Sequence, residues 1–100
     1  MSTPTALRLD GELTIYRAQE LRQTLLDALD QPGDLRLDLE GVSELDSSAV
    51  QLLLAARQDA LAAGKRFAIP VASGPVREVL GLMGLAGLLH PPLETTGALQ

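Results

Sequence analysis

The chain has no cysteine, which excludes disulfides, thiol nucleophiles and thiolate metal sites. A single histidine, His90, is too few for an imidazole-rich metal cluster. Aromatic residues are limited to Tyr16 and Phe67, so the stacking platforms of single-strand binders are missing. Lysine occurs once, as Lys65. Lys and Arg together number 8 against 13 Asp and Glu, a formal charge of -5. Gripping a phosphate backbone requires clustered cations, which argues against nucleic acid as a partner. No apolar run approaches the ~20 residues that span a bilayer, so direct membrane insertion is not expected. The opening Met1-Ser-Thr-Pro-Thr-Ala has neither the basic start nor the apolar stretch of a signal peptide, and a bacterial-style cytoplasmic location follows as the default.

What remains is an ordinary globular composition, 46% hydrophobic and 21% charged over 100 residues. That reads as one domain over 1–100, with 1–5 and 94–100 as loose tails. Such a chain buries roughly 60 to 70% of its unfolded surface, enough for a core but with little volume for an enclosed active site. An enzyme is therefore not expected, and no cofactor is implied.

Hydrophobic spacing predicts the elements. Short alternating segments at 7–9 and 13–15 flank Asp10-Gly11, a strong hairpin signal, so two antiparallel strands are expected there. Ala18, Leu21, Leu25 and Ala28 recur at helical spacing within 16–30, and Pro32-Gly33 closes that helix. Leu35, Leu37 and Leu39 alternate with Arg36, Asp38 and Glu40, the pattern of a strand with one face in solvent. A loop is expected over 41–46. A long helix follows over 47–63, apolar at Ala49, Leu53, Ala56 and Ala60, and Gly64 stops it. Phe67, Ile69 and Val71 form a strand, with Pro70 marking its end or a free edge. Ser73-Gly-Pro75 opens a third helix with Ser73 as its cap, apolar at Val76, Val79, Leu80 and Met83. Leu88-Leu89 suggests a last strand, cut short by Pro91-Pro92. The expected fold is an α/β sandwich: a mixed four- to five-stranded sheet with an N-terminal antiparallel hairpin, and three or more helices mainly on one face.

The segment from Leu35 to Leu54 carries the functional signal, because a half-buried strand passes into a helix headed by Asp46-Ser47-Ser48. Ser or Asp at a helix start has a plain structural role, accepting from free backbone N–H groups for roughly 1 kcal/mol. The sharper reading is phosphorylation, since a phosphoryl group there meets unpaired N–H groups and the positive end of the helix dipole.

In this order and spacing the chain resembles the STAS domains, named for sulfate transporters and anti-sigma-factor antagonists. The resemblance runs from about Leu7 to Leu89. It rests on Leu9-Asp-Gly-Glu-Leu, Leu37-Asp-Leu-Glu-Gly-Val-Ser-Glu-Leu-Asp-Ser-Ser, Gly64-Lys-Arg, and Val76-Arg-Glu-Val-Leu followed by Met83-Gly-Leu. It implies a STAS-like sandwich and a non-enzymatic binding module. In the antagonist branch the serine directly after the loop aspartate is phosphorylated by a partner kinase that is also an anti-sigma factor. That serine corresponds to Ser47, with Ser48 as second hydroxyl and helix-capping neighbour and Asp46, Glu44 and Ala49 as supporting or partner-binding positions. Ala49 stands where that branch usually has Gly. Other branches comprise small STAS subunits of phospholipid-transport ABC complexes and stand-alone proteins that accompany chemotaxis components. The implied partner is accordingly an ATPase-fold serine kinase or anti-sigma factor, an ABC ATPase subunit, or a chemotaxis kinase.

Other constellations are weaker. Asp38, Glu40, Glu44 and Asp46 gather in sequence around Ser47, but no oxygen-ligand loop accompanies them, and strand alternation explains Asp38 and Glu40. A phosphoaspartate receiver needs a lysine after a late strand, whereas Lys65 precedes Phe67. His90 reads as a solvated loop residue, and Gly81 and Gly84 do not form a phosphate-binding loop. Leu82 and Met83, with Leu85, Leu88 and Leu89, read as core.

Overall fold

The computed structural model describes residues 4–89. Its elements run β1 (Thr5–Leu13), a 3-10 turn (Ile15–Arg17), α1 (Ala18–Leu29), β2 (Leu35–Leu45), α2 (Ser47–Ala62), β3 (Phe67–Ala72), α3 (Gly74–Leu82) and a second 3-10 turn (Ala86–Leu89). The strands lie in the order β1-β2-β3, and both neighbouring pairs are parallel.

Parallel neighbours need a crossover, and α1 and α2 supply the two. Because the strand order advances in one direction, right-handed crossovers bring both helices over the same face of the sheet. Burial along β2 agrees: Leu35, Leu37 and Leu39 are buried while Arg36 and Glu40 are exposed. Leu9 and Leu13 of β1 and Phe67 and Ile69 of β3 complete the apolar face. Against it pack Leu21, Leu25 and Ala28 of α1, Ala49, Val50, Leu53, Ala56 and Ala60 of α2, and Val76 and Leu80 of α3. The one-faced arrangement read from the alternation is thus the one observed, with three α-helices.

The sheet differs from expectation in three places. Asp10-Gly11 is not a hairpin turn: among the described residues there is no antiparallel pair, and β1 continues through both residues to Leu13. The positive φ of Gly11 (80°) is absorbed as an irregularity inside one strand, with register shifts between Arg8 and Asp10 and between Gly11 and Glu12. The guanidinium of Arg17 donates to the carbonyls of Asp10 (3.1 Å) and Glu12 (2.9 Å), holding this kink in place. The segment 41–46 is not a loop either, since β2 runs on to Leu45 and keeps Val42 and Leu45 in the core. Gly41 permits this because the Asp10 side chain lies across its Cα, where a Cβ would sit. Finally, Leu88 and Leu89 form a 3-10 turn rather than a strand, packed partly against the core. The described sheet therefore has three strands instead of four or five. Thr5, counted above with a loose tail, opens β1 opposite Leu35. His90, Pro91-Pro92 and the tail 94–100 lie outside the described residues.

Other local readings agree. Pro70 sits in β3, an edge of the described sheet, where a missing N–H is tolerated. Ser73 caps α3 by accepting from Val76 N and donates its own hydroxyl to the Val42 carbonyl, which ties α3 to β2. Met83 and Leu82 depart from the core reading, being 42% and 83% exposed at the end of α3.

The single lysine has a structural position. Lys65 Nζ reaches the carbonyls of Leu29 and Gln31 at the C-terminal end of α1, where a cation is favoured by unpaired carbonyls and by the helix dipole. Lys65→Met keeps the stem and removes these donors. It should lower unfolding free energy by about 1–2 kcal/mol, seen as a lower urea midpoint with unchanged slope.

Candidate functional site

The strand β2 ends at Leu45 and the helix α2 begins at Ser47, so one residue makes the connection. Asp46 has extended backbone (φ -106°, ψ 177°) and is the N-cap of α2. Its carboxylate oxygens serve separate elements: Oδ1 accepts from Ala49 N at 3.1 Å, and Oδ2 accepts from Ile15 N at 2.9 Å. The amide of Asp46 in turn donates to the Leu13 carbonyl at 3.1 Å. One residue therefore joins the end of β1, the turn that follows it and the start of α2.

With Asp46 as cap, Ser47 occupies the first helical position and Ser48 the second. Capping accordingly falls to Asp46 rather than to Ser48. Ser47 is exposed and Ser48 half-buried. Val50 N pairs with the Asp46 carbonyl and Ala49 N with its carboxylate, whereas the amides of Ser47 and Ser48 lie in the first turn, where the helix offers no acceptor. A group on Ser47 Oγ thus stands beside unsatisfied donors and the positive end of the helix dipole. Ala49 is fully buried in the core, so it contributes its amide to the cap and its methyl to packing, not to the surface.

The acidic residues split into two sets. Glu44 is exposed and lies opposite Glu12 in the β1–β2 register, at the same end of the sheet as Ser47. Asp38 and Glu40 do not join them: they sit on the open sheet face, roughly 20 Å or more back along β2 at ~3.3 Å per residue. There Asp38 accepts from Arg8 (3.3 Å) and from the amide of Glu40 (2.9 Å), and Arg8 also pairs with Asp10 at 2.9 Å. The charge and hydrogen bond of Asp10, then the charges of Asp38 and Glu40, raise the pKa of the Arg8 guanidinium above its ordinary value. This network is solvated and reads as the surface of an uncovered sheet. Among the described residues no three His, Asp or Glu side chains converge as metal ligands would.

The site includes residues that sequence spacing did not single out. Ile15 and Tyr16, in the turn held by Asp46, are 62% and 94% exposed. Their signal was present but faint, two bulky apolar residues placed just before an amphipathic helix whose buried face begins at Leu21. Arg17 bonds Glu20 at 3.0 Å as well as the β1 carbonyls, and so fixes the far side of the same turn.

Comparison with known proteins places this geometry. The family described as Mlab, STAS domain matches residues 2–91. A comparison with curated proteins found no match. Among solved structures, the anti-sigma factor antagonist SpoIIAA in its unphosphorylated form superposes with a TM-score of 0.72 at 28% identity, covering 89% of this chain and 81% of that one. The phosphorylated form of SpoIIAA, a Bacillus cell fate determinant, gives 0.65 at 27% identity over 89% and 84%. The SulP transporter STAS domain from Vibrio cholerae gives 0.63 at 22% identity over 86% and 67%, a likeness of fold. Among the described residues no helix is long and apolar enough to cross a membrane.

Removing the joint should loosen both elements it serves. Asp46→Ala is expected to cost about 1–2 kcal/mol by urea denaturation, from loss of the cap and of the bond to Ile15 N. Amide exchange should quicken at both Ala49 and Ile15, and quickening at Ala49 alone would show that the second bond does not form.

Proposed function

The chain belongs to the STAS domain family, and from that membership we propose that it is a non-enzymatic regulatory module, a cytoplasmic partner switch gated by phosphorylation of Ser47. The observation that carries this reading is the exposed Ser47 hydroxyl at the first position of α2, beside amides without helical acceptors and next to a cap already supplied by Asp46. Because the cap does not depend on either serine, Ser47 can be modified without unmaking the helix start. Similarity to SpoIIAA, solved in unphosphorylated and phosphorylated forms, supports the same assignment.

The mechanism is electrostatic. A phosphoserine adds about -1.5 to -2 charge at neutral pH. Its oxygens are satisfied by the free amides of the first turn, so the fold accommodates it. Against a partner, the same charge adds to Glu44, Glu12 and Asp46. A partner surface with acidic groups opposite Ser47 then meets like charges in a desolvated contact, which costs several kcal/mol. At about 1.4 kcal/mol per tenfold, affinity falls by roughly a hundredfold or more. Binding switches with no refolding. The phosphoryl donor and its transfer chemistry belong to the partner, for which an ATPase-fold serine kinase that is also an anti-sigma factor is the first choice.

Titration of the purified partner with wild type, Ser47→Ala and Ser47→Asp tests the switch. Ser47→Ala should bind as the wild type does, and Ser47→Asp at least about tenfold more weakly. Equal affinity for all three would overturn the gating. Recovery of an ABC ATPase with such equal affinities would instead assign a constitutive STAS subunit of a phospholipid-transport complex, and recovery of a chemotaxis kinase a chemotaxis-associated regulator.

A further inference from the structure

We infer that the Ile15–Tyr16 turn is the apolar anchor for the protein that reads Ser47, and that this partner presents an apolar pocket rimmed by Lys and Arg. The inference rests on the partner-switch reading and names the partner's surface chemistry.

Among the described residues Tyr16 is the most exposed large hydrophobic, at 94%, and its neighbour Ile15 is 62% exposed. A lone exposed apolar side chain is ordinary. These two differ in being displayed on a fixed turn. Ile15 N is bonded to Asp46 Oδ2 at 2.9 Å, Arg17 N to the Thr14 carbonyl at 2.9 Å, and the Arg17 guanidinium to two carbonyls of β1. Little backbone freedom is left to lose on binding, and a tyrosine ring carries few rotors, so burial of its 150–250 Å² or so is opposed by a small ordering cost. The carboxylate that holds the turn also caps the helix bearing Ser47, so anchor and phosphoacceptor belong to one rigid surface.

Charge selects the occupant. Glu12, Glu20, Glu44 and Asp46 surround the turn against Arg17, whose guanidinium is taken up by Glu20 and by the carbonyls of Asp10 and Glu12. A second copy of this chain would bring the same acidic rim and meet like charges, so self-association through this turn is disfavoured. A cationic rim around an apolar pocket fits. Acidic groups on that partner belong only opposite Ser47, where phosphate is to be refused.

The test places a photo-crosslinking residue in the full chain in its native cell, as Tyr16→p-benzoylphenylalanine, with Leu61→p-benzoylphenylalanine as an exposed control site on α2. The adduct specific to position 16 is identified, and that protein is purified and titrated with Tyr16→Ala, Tyr16→Phe, Glu44→Lys and Ser47→Asp. Tyr16→Ala should weaken binding at least about twentyfold, Tyr16→Phe by less than about threefold, and Glu44→Lys should slow association. Absence of an adduct beyond the control, or an unchanged Kd for Tyr16→Ala, overturns the anchor. Loss of binding with Ser47→Asp but not with Tyr16→Ala removes the anchor and keeps the switch. The opposite pattern keeps the anchor and removes the switch.

Discussion

The Asp46 carboxylate accepts from two amides that belong to different elements, Ala49 N in α2 and Ile15 N in the turn after β1. A helix N-terminus presents unpaired donors and a strand end presents a chain that must change direction. One side chain of the right length meets both needs because parallel pairing of β1 and β2 brings Leu13 level with Leu45. Everything of functional interest at this end of the molecule is held through that contact: the exposed Ser47, the free first-turn amides, and the Ile15–Tyr16 turn.

The sheet gives the contact its setting. Three parallel strands in sequential order, joined by helices on one side, leave the other face to solvent, and the alternation of β2 satisfies that requirement with leucines inward and charges outward. On the open face the charges pair among themselves through Arg8, Asp10 and Asp38. Surface pairs of this kind add little to stability, at about 0–1 kcal/mol each, but they withdraw that face from recognition. The C-terminal end of the strands differs, because Glu12 and Glu44 lie side by side there. Their mutual repulsion is tolerated by a solvated edge and becomes significant when another protein removes the water.

A domain of this size does not need an enclosed pocket to act. Its working surface is a helix start, a short turn and a row of carboxylates, all fixed by backbone hydrogen bonds, and its response to one added phosphate follows from the sign of charge already present. The same rigidity that lets the fold accept modification without rearrangement makes the charge itself the message.

Periodicity by itself determined the positions of the three helices, the one-faced sheet and the prominence of Asp46-Ser47-Ser48, because apolar spacing and turn residues are local properties of the chain. The charge of -5 likewise excluded whole classes of partner without any structure. Three features were decided only by tertiary structure. Asp10-Gly11 carries a hairpin signature, yet parallel pairing with β2 and the grip of Arg17 turn its positive φ into a kink within one strand. The acidic residues that cluster in sequence separate in space, since β2 stays extended to Leu45 and carries Asp38 and Glu40 far from Ser47. The second acceptor role of Asp46 is invisible in sequence because its donor, Ile15, is 31 residues away, and only the sheet brings the two together.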